Sequence, residues 1–274
     1  TYWNSVPSIA RFMLNTGNLT PNSFPELKNS MFCGEQFPVD LANAWRLAAP
    51  NSTIENLYGP TEATVYISRY EYSKDDENKR FHNGIVPIGS VYPGHTVKLL
   101  NEEGQIVESG KGEIVFSGPQ VTLGYLNDQH KTDESFVNFD WDEKSRQWYK
   151  TGDLGFFNES GNLECIGRKD SQIKLAGRRI EIGEIEAMLD KFDKTKGVMI
   201  VPTRNDQEIV NGCVGFLQVD ISHAEIKEIR KQSSKFLDSV FFPKKFYKIK
   251  EIPLTQSGKT NRTELEILAK NLDN

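Results

Sequence analysis

A chain of 274 residues exceeds the usual size of a single domain, so two domains are expected. Its 37% hydrophobic and 26% charged residues are those of an ordinary water-soluble protein, and its net charge of -5 argues against a nucleic-acid partner, which would call for a basic face. No apolar run approaches the ~18 residues of a membrane span and neither terminus carries a secretory core, so no membrane partner is expected and the cytoplasm is the expected location. Cys33, Cys165 and Cys213 lie far apart without a CxxC pair, and His82, His95, His130 and His223 have no second ligand at metal spacing. Neither disulfides nor a zinc site is expected.

Residues 1–13, TYWNSVPSIARFM, form an apolar opening with no start residue or helix cap before it. Residues 30–33 read as a short buried strand leading into a glycine turn, 39–47 as a helix by apolar spacing, and 53–57 as the next strand. This is the pattern of parallel α/β structure, in which ligands bind beyond the strand C-termini. In residues 56–68, NLYGPTEATVYIS, Gly59 and Pro60 interrupt the chain and ATVYI is predicted to resume as a strand. The turn is expected to place Tyr58, Thr61 and Glu62 on one exposed edge. An aromatic can stack on a base, a hydroxyl can bond a phosphate oxygen, and a carboxylate suits Mg²⁺ shared with phosphates. A plain turn with a surface tyrosine fits the same residues.

Residues 72–80, YSKDDENKR, read as a solvated loop. Residues 88–166 alternate in short strands broken by glycines and by EEGQ and ESGN turns, a β-rich subdomain. A short helix is predicted between GYLND and Phe136, then a loop rich in Asp and Trp over 139–148. Asp153 in YKTGD is read just after a strand, where it suits either the two hydroxyls of a ribose or an Asx-turn. Arg168 in GRKD alone suits a surface ion pair. The composition changes at Asp170. Beyond it are predicted a helix over 185–192, strands over 198–202 and 213–219, a helix from a Ser222 cap to about Leu237, and a strand over 245–252. The GKT of LTQSGKT is not a P-loop, because Pro253 stands where that pattern needs glycine.

Read together, GPTE at Gly59, GEIVFSGPQVTLGYLND at Gly112, YKTGDLG at Tyr149, GRKDSQIKLAGRRIEIGEIE at Gly167 and LTQSGKTNR at Leu254 closely resemble the later core motifs of the adenylate-forming superfamily. That superfamily holds amino-acid adenylation domains, including those of nonribosomal peptide synthesis, acyl- and aryl-CoA ligases and luciferases. GPTE, with its proline, resembles the amino-acid-activating branch, and FCGE at Phe32 with GPTEATV resembles stand-alone D-alanine:carrier-protein ligases. The resemblance implies an α/β and β-rich end of a large adenylation domain over 1–169, joined by a hinge to a small mobile α+β domain over 170–274.

The implied activity is ATP-dependent formation of an aminoacyl adenylate, followed by transfer to the phosphopantetheine thiol of a carrier protein. The resemblance assigns Tyr58 to adenine stacking, Gly34 and Glu35 to the adenine edge, Thr61 to the α-phosphate, Glu62 to Mg²⁺, and Asp153 and Arg168 to the ribose. It makes Lys259 the mobile catalytic lysine, Asp170 the hinge, and Gly177 the point where a pantetheine arm passes. Met31, Cys33, Leu57, Val65 and Tyr66 match positions that shape the side-chain pocket. They offer no counter-charge, so a small neutral amino acid of the alanine or proline class is expected. Tyr66 departs from the small residue expected in a D-alanine ligase.

A Ser/Thr/Gly-rich phosphate loop and an amine-binding Asp, both upstream in the family, have no counterpart here. The chain is therefore expected to be a fragment of a longer ligase or one piece of a split enzyme whose N-terminal half is a separate chain. The alternatives are an aryl- or acyl-CoA ligase fragment, or a non-catalytic carrier-protein docking module that uses Lys244, Lys245, Lys248 and Lys250.

Overall fold

The chain divides at Asp170 into two units, Thr1–Asp170 and Ser171–Asn274. The structure, a computed structural model, describes residues 1–206, 209–255 and 260–273.

In the first unit, β1 (Tyr2–Ser5), β2 (Asn29–Cys33) and β3 (Thr53–Tyr58) run parallel and are followed in the sheet by antiparallel β4 (Ser68–Tyr72) and β5 (Ser90–Val91). The parallel strands are joined through α1 (Pro7–Asn15) and α2 (Val39–Ala48), the crossover that parallel pairing requires. Period-two alternation turns Ser30 and Phe32 towards the core, where Phe32 stacks on Phe37 at 4.4 Å and meets the edge of Trp45 at 5.0 Å. The Trp45 indole N–H donates to Ser30 Oγ at 2.8 Å, so the buried hydroxyl is satisfied. Between β4 and β5, residues 74–76 form a 3-10 turn with a capping box. Asp76 there is buried and accepts from Tyr70 Oη, Ser73 N–H and Lys79 Nζ. The charged run was expected to be a solvated loop; residues 73–75 and 77–80 are exposed, and the buried Asp76 is the exception.

The β-rich part holds β6 (Thr96–Leu100), β7 (Gly112–Ser117), α3 (Gln129–Ser135), β8 (Phe136–Val137), β9 (Trp148–Phe157) and β10 (Leu163–Arg168). Its sheet runs β10-β9-β7-β6, with β8 on β9. Asp142 organises the loop before β9. It accepts from the Trp148 indole at 2.8 Å and from Arg146 Nε at 2.9 Å. The Arg146 guanidinium and the other donors hold this carboxyl well below the usual range.

In the second unit β11 (Gln172–Leu175) and β12 (Arg178–Glu181) form a hairpin with Gly177 at its tip, followed by α4 (Ile182–Leu189). β13 (Met199–Arg204), β14 (Val210–Leu217) and β15 (Phe246–Lys248) make a three-stranded sheet. α5 (His223–Ser233) is capped by Ser222 as expected, in a capping box with Glu225. Ile200, Cys213 and Leu217 face a core shared with Ile185, Leu189 and Ile229, while Val201, Val214 and Phe216 face Leu265 and Ala269 of α6 (Arg262–Asp273). That last helix was not anticipated. The strand expected over 245–252 shrinks to three residues, and the helix expected over 185–192 begins three residues earlier. Lys248 pairs with Asp220 at 2.6 Å. No helix among the described residues is long and apolar enough to cross a membrane.

Candidate active site

The GPTEATVYI stretch does not resume as a strand at Ala63, as its β-branched composition suggested. Residues 61–63 form a 3-10 turn, Thr64 and Val65 take positive φ of 52° and 77°, and β4 begins only at Ser68. Such backbone costs on the order of 1–3 kcal/mol at a β-branched residue and persists only where the surroundings over-determine it. They do so here. Gly59 lies under the loop, where a Cβ would stand 2.5 Å from the Val65 carbonyl oxygen. From the other side, Thr64 Oγ1 donates to Gln120 O at 2.7 Å, Gln120 Nε2 to Tyr66 O at 3.0 Å, and Thr122 N–H to Glu62 O at 2.9 Å. The expected exposed edge is also corrected. Thr61 is exposed, but Tyr58 is only 6% and Glu62 8% exposed.

Burial of Tyr58 and Glu62 is possible because side chains from distant segments reach them. The Tyr58 hydroxyl donates to Asp153 Oδ2. Asp153 lies within β9 rather than after a strand, and it also accepts from Arg168 Nη1 at 2.6 Å. Arg168 is no surface pair: its side chain is 12% exposed, and its Nε and Nη2 donate to the two oxygens of Asp170 at 2.6 and 2.5 Å. Burial, then the charge of Asp153, pushes the Tyr58 phenol well above its usual pKa. Burial acts against the Arg168 charge, but the bonds and charges of Asp170 and Asp153 outweigh it and raise the guanidinium's pKa. Gly152 makes the cluster possible, since a Cβ there would lie 2.6 Å from both Arg168 Nη2 and Asp170 Oδ2. On Glu62, Tyr125 Oη donates to Oε1 at 2.6 Å.

The remaining candidates divide by location. Glu35, just past β2, accepts the Ser8 N–H at 2.9 Å and so serves the first turn of α1, with Gly34 beside it. Met31 and Cys33 alternate onto the sheet face opposite Phe32, and Leu57 pairs with Cys33 there. Tyr66 reaches over this face, its hydroxyl accepting from Asn4 Nδ2 at 2.9 Å, while Val65 is 54% exposed. Gly177 belongs to the hairpin of the second unit. Lys259 lies outside the described residues. Sequence reading assigned no role to Asn4, Gln120, Thr122 or Tyr125. Their partners are 54 to 63 residues away in sequence, and only the GPQ and GYL runs hinted at a structured segment.

For a magnesium ion the donor chemistry fits. Glu62 supplies one hard carboxylate oxygen set, and Mg²⁺ is ordinarily held by one or two carboxylates plus substrate phosphates. Among the described residues no group of three or more His, Cys, Asp or Glu forms a protein-only metal cage.

A parallel sheet with polar groups gathered at its strand ends, beside a β-rich sheet carrying Asp153 and Arg168, is the architecture of an adenylate-forming domain. Residues 1–126 match the family model for AMP-binding enzymes. The chain is 34% identical over 271 residues to the D-alanine–D-alanyl carrier protein ligase of Bacillus licheniformis, covering 96% of this chain and 52% of that protein. It superposes on the Vibrio cholerae adenylation domain AlmE, solved with glycyl-adenosine-5'-phosphate, with a TM-score of 0.83 at 30% identity, over 99% of this chain and 50% of that one. PA1221, a nonribosomal peptide synthetase protein containing adenylation and carrier domains, matches with a TM-score of 0.74 at 27% identity, over 96% of this chain and 44% of that one. The chain thus spans about half the length of the curated relatives it matches.

Proposed function

We propose that this chain is the nucleotide-binding part of an AMP-forming ligase that activates a small neutral amino acid, of the alanine or proline class, and loads it onto a carrier protein. The observation that carries the reading is the meeting of Tyr58, Asp153 and Arg168, from motifs 95 residues apart, at the end of β3. A buried carboxylate flanked by a guanidinium is suited to accept the two hydroxyls of a ribose. Tyr58, its hydroxyl anchored on Asp153, gives the adenine a fixed aromatic wall, and Gly34 and Glu35 border it. Thr61 bonds the α-phosphate. Glu62 holds the magnesium, which would neutralise phosphate charge when bound.

In the first step an oxygen of the amino-acid carboxylate attacks the α-phosphorus of ATP, and the bond to the bridging oxygen of pyrophosphate breaks. In the second a thiolate sulfur attacks the acyl carbon, and AMP leaves with the electron pair. Lys259 stabilises the charge developing in the first step, since an ammonium on a flexible stem can follow it. Asp170 is the hinge and Gly177 admits the pantetheine arm. Met31, Cys33, Leu57, Val65 and Tyr66 line a pocket without counter-charge, in keeping with the D-alanine of the Bacillus licheniformis enzyme's name and the glycyl adenylate held by AlmE. Use of ATP and a carrier protein puts the reaction in the cytoplasm, and the full catalytic unit includes a complement equal to the rest of the relatives' length.

The test is amino-acid-dependent ATP–pyrophosphate exchange, run on this chain alone and with a complementing N-terminal half, across the twenty amino acids and D-alanine. Exchange supported by a small neutral amino acid and abolished by Lys259→Ala is expected. A charged or large aromatic amino acid as best substrate would overturn the specificity.

A further inference from the structure

Residues 118–128 face solvent with their two leucines: Leu123 is 90% exposed and Leu126 91%. Apolar burial of those two side chains does not hold this segment in place; Val121, packed against the cluster of Tyr58, Ala63 and Ile67, and a set of polar anchors do. Gln120 and Thr122 bond the strained loop as described, and Tyr125 reaches the carboxylate inside it, donating to Glu62 Oε1 at 2.6 Å. Tyr125 is itself fixed. Its N–H donates to Thr132 Oγ1 of α3 at 2.8 Å, and its ring packs edge-on against Phe136 with centroids 5.5 Å apart.

We propose that Tyr125 is a positioning residue for the metal-binding carboxylate, fixing the plane of Glu62 so that an ion on the nucleotide's phosphates meets a preset oxygen. This rests on the reading above in which Glu62 takes magnesium. Carboxylates that ligate metals are themselves hydrogen-bonded, and loss of such an outer partner lowers metal affinity about 10–100-fold. The ring and the hydroxyl do separate work here. The ring fills space against Phe136, and the hydroxyl orients Glu62, so Tyr125→Phe removes the second function and keeps the first.

The experiment is calorimetric binding of α,β-methylene-ATP to the full chain, with Mg²⁺ titrated in or with EDTA, for the wild type, Tyr125→Phe, Glu62→Gln and the surface control Leu126→Ser. The proposal expects Mg²⁺ to tighten nucleotide binding in the wild type and in Leu126→Ser alike. Tyr125→Phe should need about tenfold more Mg²⁺ for the same gain, with unchanged affinity in EDTA and an unchanged melting temperature. A Tyr125→Phe chain with the wild-type Mg²⁺ requirement, while Glu62→Gln loses the response, would overturn the proposal and leave the reading of Glu62 standing. Equal weakening with and without Mg²⁺ would reduce Tyr125 to a structural residue. A Glu62→Gln chain, or a wild type, with no change in response to Mg²⁺ would instead remove the Glu62 reading and this inference together.

Discussion

Six carboxylates are buried in Thr1–Asp170: Glu62, Asp76, Glu113, Asp142, Asp153 and Glu164. Among the described residues of Ser171–Asn274 the buried polar side chains are Thr195 and Ser233, and the core is otherwise Ile, Leu, Val and Phe with Cys213 and Ala269. A buried carboxylate is costly unless its oxygens are met, so a unit that carries six is organised around polar networks. The six are not alike. Asp76 accepts the N–H of Ser73, Glu113 that of Gly152, Asp142 that of Arg146 and Glu164 that of His82, each closing a turn or strand end. Glu62 and Asp153 are met by side chains from other motifs, the phenol of Tyr125 for one, the phenol of Tyr58 and the guanidinium of Arg168 for the other. Burial alone therefore does not mark a site in this protein, and Glu113 shows that a partner from a distant motif is not enough either, since it meets Lys169 at 3.5 Å.

The largest effect expected from breaking this contrast comes from Asp153→Ala, which takes from the buried Tyr58 hydroxyl and from Arg168 Nη1 the carboxylate both donate to, while Arg168 keeps Asp170. Removing one member of a buried pair costs about 3–5 kcal/mol. In denaturant, the transition of Thr1–Asp170 should move by that amount and the transition of Ser171–Asn274 should stay where it is. A shift shared by both units would show that the polar network is not confined to the first.

The converse substitution is Leu265→Ala. Leu265 is fully buried against Val201, Val214 and Phe216, and a cavity there should cost the second unit about 3 kcal/mol. Here the transition of Thr1–Asp170 should hold still. Next in size is Gly59→Ala, whose added Cβ meets the backbone of Val65, Tyr66 and Ile67 rather than a flexible side chain. Overpacking against backbone should cost about 2 kcal/mol, and nucleotide affinity should fall further than stability does, because the loop that carries Thr61 and Glu62 is what has to move.

The parts of this molecule legible in its sequence are those set by local periodicity. β2, α2 and β3 follow apolar spacing, and the Ser222 cap of α5 follows from a serine three residues before a glutamate. The errors fall where long-range contacts override local preference. Ala63, Thr64, Val65, Tyr66 and Ile67 have strand composition, yet Gly59 below and Gln120 beside them hold Thr64 and Val65 at positive φ. The meeting of Asp153 with Tyr58 and Arg168 was not legible locally, since these partners lie 95 and 15 residues away. Tyr125 carries no local signal of its role, because its partner Glu62 lies 63 residues away in sequence.

The smallest effect tests the second unit's side of the contrast through its surface. Glu225 completes the capping box of α5, accepting the Ser222 N–H at 2.8 Å and the Ser222 hydroxyl at 2.8 Å, and it pairs with Lys194 at 3.1 Å. These interactions, the Ser222 backbone bond first, lower its pKa from 4.5 to about 2. A carboxyl whose folded pKa is depressed stabilises the fold above its unfolded pKa, and that contribution is lost as pH falls from about 4.5 towards 2. Because the carboxylate is at the surface, the gain is small. Glu225→Gln should flatten the acid dependence of the Ser171–Asn274 transition in that window while leaving the acid dependence of Thr1–Asp170 intact. In the first unit the bonds from Lys79, Ser73 and Tyr70 outweigh burial at Asp76 and lower its pKa, and the Arg146 bonds do the same at Asp142. Acid unfolding followed separately in the two units would decide it: if Ser171–Asn274 keeps its full acid sensitivity in Glu225→Gln, carboxylates other than the cap govern it, and the second unit is less purely apolar in its energetics than its core implies.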